Sequence, residues 1–351
     1  MRHFEGHKTR TLVTATLAVV LSCVMALASC GSGNREKGKV IMSATCYPYA
    51  VLHNGKYYFL RQQPTCDRIV ILCSSSLDNI AEGDMKTVWM ATDSTANRDI
   101  WVPELHRIGG KWYIYFEADD GNTDNHQIYV IENPSDDPMK GEFRMKGVLK
   151  TNDEWNFGIH PSTFVVGNRQ YLVWSGWPKR RSETETQCIY IAGMSNPWTV
   201  STRRVMISKP THEWERQWIN PDGTRSAYPI YVNENPQPVV SRDGRKVAIY
   251  FAASACWTPY ACLGVMYADT KANLLDSRSW HKSGNPVTIG NGLDSIRGAS
   301  NICVVDNNKG NDPYLLYETK VYDKTAHNYV KQIRLRTIEW GQDGLPVINS
   351  K

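Results

Sequence analysis

Beyond its first thirty residues the chain has no long apolar run, no C-x-x-C pair, no apolar heptads and no short period of glycine or proline. These absences exclude a multispan membrane protein, a zinc ribbon, a coiled coil and a collagen. Charge of one sign is scarce as well. Forty Lys and Arg stand against 35 Asp and Glu, for a net charge of +5. Arg2, Lys8, Arg10 and Glu5 account for part of that near the N-terminus, so no nucleic-acid footprint remains. What is present is apolar: 41% hydrophobic residues, with 7 Phe, 12 Trp and 18 Tyr in 351 residues, the composition of a folded globular protein.

The N-terminus reads as a targeting segment. Arg2, Lys8 and Arg10 precede an apolar stretch over residues 11 to 29, which ends in Leu27-Ala28-Ser29-Cys30 and then turns polar. The apolar stretch is short and closes in small residues, as an export signal does and a spanning helix does not. The run LASC resembles the lipobox of bacterial lipoproteins, which implies removal of residues 1 to 29, acylation of Cys30 and a flexible tether over residues 30 to 40. Each buried methylene of an acyl chain contributes roughly 0.8 kcal/mol, so the expected product is exported and lipid-anchored to the bacterial cell envelope. Seven cysteines remain after Cys23 and Cys30 are set aside. Of these only Cys256 and Cys262 are close enough in sequence to suggest a bridge, and a pair of buried thiols fits equally well.

Five segments share one pattern, a Gly-containing turn followed by aromatic and aliphatic residues: HNGKYYFL, IGGKWYIYF, VGNRQYLVW, RDGRKVAIY and NKGNDPYLLY. Their glycines, Gly55, Gly110, Gly167, Gly244 and Gly310, are 55, 57, 77 and 66 residues apart. Each segment is followed by a second β-rich run, namely RIVILCS, HQIYVIE, QCIYIAG, CLGVMYAD and KQIRLRTIEW. Period-two alternation, aromatic and β-branched enrichment and turn residues between the runs indicate strands throughout. Units of this length holding four short strands each indicate propeller blades, so residues 41 to 351 are expected to form a single all-β domain, a five-bladed β-propeller. Residues 209 to 229 are read as a surface insertion, and a two-sheet sandwich is the alternative fold.

In a propeller the innermost strand of each blade lines a central funnel. The segments before the five glycines, ATCYPYAVL, IWVPELHRI, NFGIHPSTFVV, NENPQPVV and IRGASNICVV, are therefore the expected rim of an axial pocket. Blade-opening turns need Pro and Gly in any case.

IWVPELHRIGGKWYIYF, GMSNPWTV, NENPQPVVSRDGRKVAIYFAASACWTPYACLGVM and RLRTIEWGQDGLPV resemble glycoside hydrolase family 43, in particular its arabinofuranosidase-like members. The resemblance runs in order along the whole chain after the signal. It implies a five-bladed propeller and an inverting glycosidase with a general acid, a general base and a third carboxylate that tunes the acid. The acid's run, like NEGPQ in the family, places it at Glu234. The base's run, like DPYVIYHNG, appears here as YPYAVLHNG and puts Tyr47 in its place. The tuning carboxylate, in a run like IDGTV or IDP, is matched by His160. A late Gly-His-x-Ser segment appears as RGASN, with Gly298 for the His.

A phenol is almost wholly protonated at neutral pH and cannot serve unaided as a base. A cationic His160 would favour ionised Glu234, the opposite of what an acid requires. Three readings stay open. Glu234 is the acid and an unaligned carboxylate such as Asp67, Glu104 or Asp120 is the base; or Tyr47 is a nucleophile activated by His160 or a carboxylate; or the chain binds sugar without turnover. Trp101, Trp155 and Trp257 are expected to stack on sugar faces, and Glu104 and Asn233 to bind hydroxyls. The expected activity is hydrolysis of O-glycosidic bonds in plant-type polysaccharides or oligosaccharides, with arabinofuranosyl or xylosyl units implied by the resemblance. No cofactor, metal or nucleic acid is expected, and the chain is read as a monomer.

Overall fold

Two-residue turns set the local geometry. Asn54 and Gly55 both take left-handed backbone, φ 49° and 75°, and the hairpin they close pairs His53 with Lys56. This is the turn whose twist matches that of the flanking strands. The computed structural model describes residues 38 to 90, 98 to 180, 185 to 219, 225 to 258, 260 to 287 and 296 to 348. The signal segment, Cys30 and most of the tether lie outside the described residues.

Five sheets follow one another along the chain. Blade one is Tyr49–His53, Lys56–Leu60, Arg68–Ser74 and Asp84–Met90; blade two is Arg98–Ile108, Lys111–Asp119, Gln127–Asn133 and Arg144–Val148. Blade three runs Ile159–Val166, Arg169–Gly176, Glu185–Asn196 and Val205–Ser208, and blade four Arg225–Val240, Lys246–Ala253, Cys262–Asp269 and His281–Lys282. Blade five contains Ile296–Val305, Tyr314–Asp323 and Asn328–Thr337, and its fourth strand is the N-terminal Lys39–Ser43, which pairs antiparallel with Asn328–Thr337. The first and last strands of the chain therefore complete one sheet. The innermost strands of successive blades touch, and that of blade five touches that of blade one. The ring of five expected from the repeat is the fold.

Strand sequences are apolar on both sides because each blade is covered by two neighbours. Along Lys111–Asp119, Trp112, Ile114 and Phe116 pack with blade one, while Tyr113 and Tyr115 pack with blade three. Separate apolar cores fill the remaining seams: blades three and four around Phe251 and Ile189, four and five around Leu315 and Val265, five and one around Phe59 and Leu316. Gly264 is required by its seam, since a Cβ there would collide with the Phe251 ring.

The stretch from residue 209 to 229 is more than the surface insertion expected of it. Arg216–Ile219 pairs with Arg225–Val240, whose Ile230–Val232 pairs in parallel with Glu185–Gln187 of blade three, and Glu215 is fully buried. These pairings sew blades three and four into one continuous sheet. Cys256 and Cys262 are both free thiols, as are the other five described cysteines. Cys262 Sγ donates to the Trp214 carbonyl, and no bridge forms.

Candidate active site

Each innermost strand has, within it or just before it, a non-glycine residue in left-handed conformation next to the axis: Tyr47 (φ 55°), Val102 (40°), His160 (52°), Asn235 (51°) and Asn301 (45°). In the four strands that begin before these residues the pairing register shifts at the same point. Four of the five precede a proline, Pro48, Pro103, Pro161 and Pro236, which has no N–H to lose where the ladder is interrupted. Such bulges re-aim side chains, and non-glycine residues held there mark functional sites. All five side chains are buried. They bring together around the axis the segments that the sequence places at the pocket rim.

Glu234 is 1% exposed, and its Oε1 accepts the Cys256 backbone N–H at 2.6 Å. Its Oε2 lies 3.8 Å from His160 Nδ1, and His160 Nε2 lies 3.9 Å from Glu117 Oε1 on the other side. An imidazole thus stands between two carboxyl groups at more than hydrogen-bond distance from each. Burial, with smaller contributions from His126 and Lys331, pulls the His160 ring down to about 3, so it is neutral at neutral pH. Glu117 is fully buried, and burial raises it well above the usual carboxylate range against the smaller, lowering effect of the His160 backbone N–H.

Tyr47 completes the cluster. Its ring centre is 5.3 Å from that of His160, and its hydroxyl contacts Cys256 Sγ at 2.7 Å. Burial, then Cys256 and Glu234, push the phenol well above its ordinary value. The Tyr47 N–H donates to Glu318 Oε2 at 3.3 Å, and Asn301 Nδ2 donates to the same oxygen at 2.8 Å. Asn235 Nδ2 donates to Asn301 Oδ1 at 3.0 Å, which links blades four and five across their inner edges.

The sequence signature of glycosyl hydrolases family 43 matches residues 38–346 of this five-bladed chain. The chain belongs to that family. Over 301 residues it is 31% identical to α-L-arabinofuranosidase B of Pyricularia oryzae, covering 84% of this chain and 58% of that protein. Over 308 residues it is 31% identical to the extracellular exo-α-(1→5)-L-arabinofuranosidase of Streptomyces avermitilis, covering 85% and 60%. The chain therefore spans about three fifths of the length of these two relatives. Among solved structures, the α-L-arabinofuranosidase of Lactobacillus brevis superposes with a TM-score of 0.77 at 27% identity, covering 90% of this chain and 99% of that one.

In this family 43 chain the other expected site residues divide. Trp101 packs beside Tyr47 and Cys256 and lies 4.2 Å from the His126 ring, at the axial cluster. Trp257 follows Cys256 and is 42% exposed, open to a ligand. Trp155 instead packs with Phe157 and Trp177 and faces Arg204. Asn233 and Glu104 are buried among protein partners. Asn233 is fully buried on the opposite face of its strand from Glu234, where it donates to Glu215 Oε1 at 3.1 Å and accepts from Ser208 at 2.7 Å. It lies in the seam between blades three and four. Glu104 is 1% exposed and spans the ring from blade two to blade four, accepting from Gln237 Nε2 on one oxygen and lying 3.0 Å from His106 Nε2 on the other. Both oxygens face protein partners across the hub.

The carboxylates considered as alternative bases also move. Asp67 is half-buried and held by Arg68 and Thr65, and Asp120 is exposed and caps its own turn through Asn122 and Asn125. The axis supplies Glu117 and Glu318 instead, both from second strands, which a search confined to innermost strands passes over. Their signal was an acidic residue inside an otherwise apolar strand, YFEAD and YETK. Among the described residues no three His, Cys, Asp or Glu side chains are grouped to hold a metal ion.

Proposed function

We propose that this chain hydrolyses O-glycosidic bonds of arabinofuranosyl or xylosyl units in plant-type oligosaccharides or polysaccharides, with Glu234 as the proton donor. The observation that carries the proposal is the burial of Glu234 at the axial bulge, where Cys256 N–H orients one oxygen and His160 faces the other. Membership of family 43 and the names of the relatives support the substrate class. Neither Tyr47 nor His160 carries negative charge at neutral pH, and burial raises Glu117 well above the usual carboxylate range. Activation of water then falls to Glu318, the carboxylate that abuts Tyr47. The experiment is hydrolysis of nitrophenyl α-L-arabinofuranoside, nitrophenyl β-xyloside and arabinan or xylan oligosaccharides by wild type and Glu234→Gln. Turnover in wild type that vanishes in the variant supports the proposal, and turnover equal in both refutes it.

The neutrality of residues 47 and 160 favours one second reading, a carbohydrate binder without turnover. Stabilisation of the fold by arabino-oligosaccharides with no product released would establish it. We also propose that the protein is exported and held at the cell envelope through acylated Cys30, on the strength of the signal architecture and of the extracellular naming of two Streptomyces relatives. The tether over residues 30 to 40 and one propeller domain over residues 41 to 351 belong to the same proposal. Metabolic labelling with palmitate in wild type and Cys30→Ala tests the anchor.

A further inference from the structure

On the blade-five side of the axis, Glu318 and Lys320 project from the same face of Tyr314–Asp323, and Lys331 stands directly opposite Lys320 on the neighbouring strand. Like charges placed opposite each other repel. A single carboxylate oxygen lies between them: Glu318 Oε1 is 3.6 Å from Lys320 Nζ and 3.4 Å from Lys331 Nζ. Two ammonium groups against one carboxylate leave one positive charge uncompensated. The Lys320 side chain is 3% exposed, and its Nζ is buried with no hydrogen-bond acceptor among the described residues. A buried cation without an acceptor is a costly arrangement unless a ligand supplies one.

The backbone packs closely against that ammonium. Gly298 sits there in left-handed conformation, φ 63°, and a Cβ on it would stand 2.9 Å from Lys320 Nζ. The nook adjoins the cluster around Glu234. Glu318 Oε2 takes the N–H of Tyr47, whose hydroxyl contacts Cys256, and Lys331 Nζ lies 5.2 Å from the centre of the Tyr47 ring. Burial opposes the charge of Lys331, but Glu318 together with Cys256 and Cys46 outweighs it and holds the ammonium above its ordinary range. Lys331 keeps 28% of its side chain exposed, so this member of the pair is the one reached from solvent.

We propose that Lys320 and Lys331 form an anion-recognising subsite of the axial pocket, and that the glycan taken by this protein carries a carboxylate, as a hexuronosyl unit does. The inference rests on the axis being the sugar site and names the class of sugar. A planar carboxylate accepts one N–H from each ammonium and cancels the surplus charge. A neutral sugar leaves Lys320 unmet, and a site with an unmet buried polar group discriminates strongly against the ligand that fails to meet it.

Calorimetric titration of the intact protein with galacturonate, glucuronate, their neutral counterparts galactose and glucose, and inorganic phosphate tests this. The uronates are expected to bind tighter than the neutral hexoses by at least about tenfold, the equivalent of one charge-assisted hydrogen bond. That preference should disappear in Lys320→Met. Should that variant fail to fold by circular dichroism, Lys331→Gln, at the more exposed member of the pair, is expected to reduce the preference. Equal affinity for uronate and neutral hexose, a preference that survives in both folded variants, or phosphate binding as tight as uronate would each overturn the proposal. Hydrolysis of neutral arabino-oligosaccharides is scored separately, so failure of the hydrolase reading is distinguishable from failure of this one.

Discussion

Stability should depend on pH through one buried imidazole, and His160→Asn isolates the effect. In the folded chain His160 is held at about 3, against an ordinary value of 6.5. The unfolded chain therefore binds a proton at this residue over a range of pH in which the folded chain does not. The contribution is fully present above pH 6.5 and is lost as pH falls toward 3. Each pH unit inside that window corresponds to about 1.36 kcal/mol, so at pH 5 the loss is about 2 kcal/mol. Glu117 acts in the opposite sense. Its folded value is raised, so its contribution is present below its ordinary value of 4.5 and is lost as pH rises. The two trends partly cancel in wild type, which is why the difference between wild type and variant is the quantity to measure. Urea unfolding at pH 7, 6 and 5 should show the stability of wild type falling relative to His160→Asn by about 2 kcal/mol across the series. The imidazole resonances of His160 should not titrate between pH 7 and 5. A flat difference, or a ring that titrates near 6.5, would mean that the imidazole is charged between ionised Glu117 and Glu234, and the argument from burial would be wrong.

Three further outcomes follow from the geometry. Glu234→Gln should lower turnover of a nitrophenyl arabinofuranoside by about a hundredfold or more, the usual worth of a positioned proton donor, while leaving the circular dichroism spectrum unchanged. Tyr47→Phe removes only the hydroxyl that contacts Cys256; activity within about tenfold of wild type is expected, and a loss of three or more orders of magnitude would identify the phenol as a nucleophile. Trp112→Ala, at a fully buried side chain in the seam between blades one and two, should cost about 3 to 5 kcal/mol in denaturant unfolding.

The fold was legible because the blade repeats at the level of chain chemistry. Asn54-Gly55 and Gly109-Gly110 announce two-residue turns, and the stretches YYFL and WYIYF after them are apolar at successive positions because neighbouring blades cover both faces. The rim was legible too: Tyr47-Pro48, Val102-Pro103, His160-Pro161 and Asn235-Pro236 repeat a dipeptide where each innermost strand is broken. The identity of the charged groups at the hub was less so. Glu117 and Glu318 reach the axis from second strands, and Lys331 from a third, across sequence separations that local pattern does not encode. Which of Asn233 and Glu234 faces the axis was not legible, because one step along a strand reverses the direction of a side chain and the bulge at Asn235 sets the register.

The antiparallel pairing of Lys39–Ser43 with Asn328–Thr337 has a consequence for how the molecule is made. Leu335 must leave the ribosome before Lys39 finds its partner, so this contact joins residues almost three hundred positions apart. Until then the apolar flank of blade one around Phe59 and Leu77 waits without its cover from blade five. Contacts of such long range are slow to form, and a nascent chain in that state offers a sticky surface to its neighbours. Loss of only the last strand should therefore be felt as aggregation during synthesis rather than as a local fault at the C-terminus.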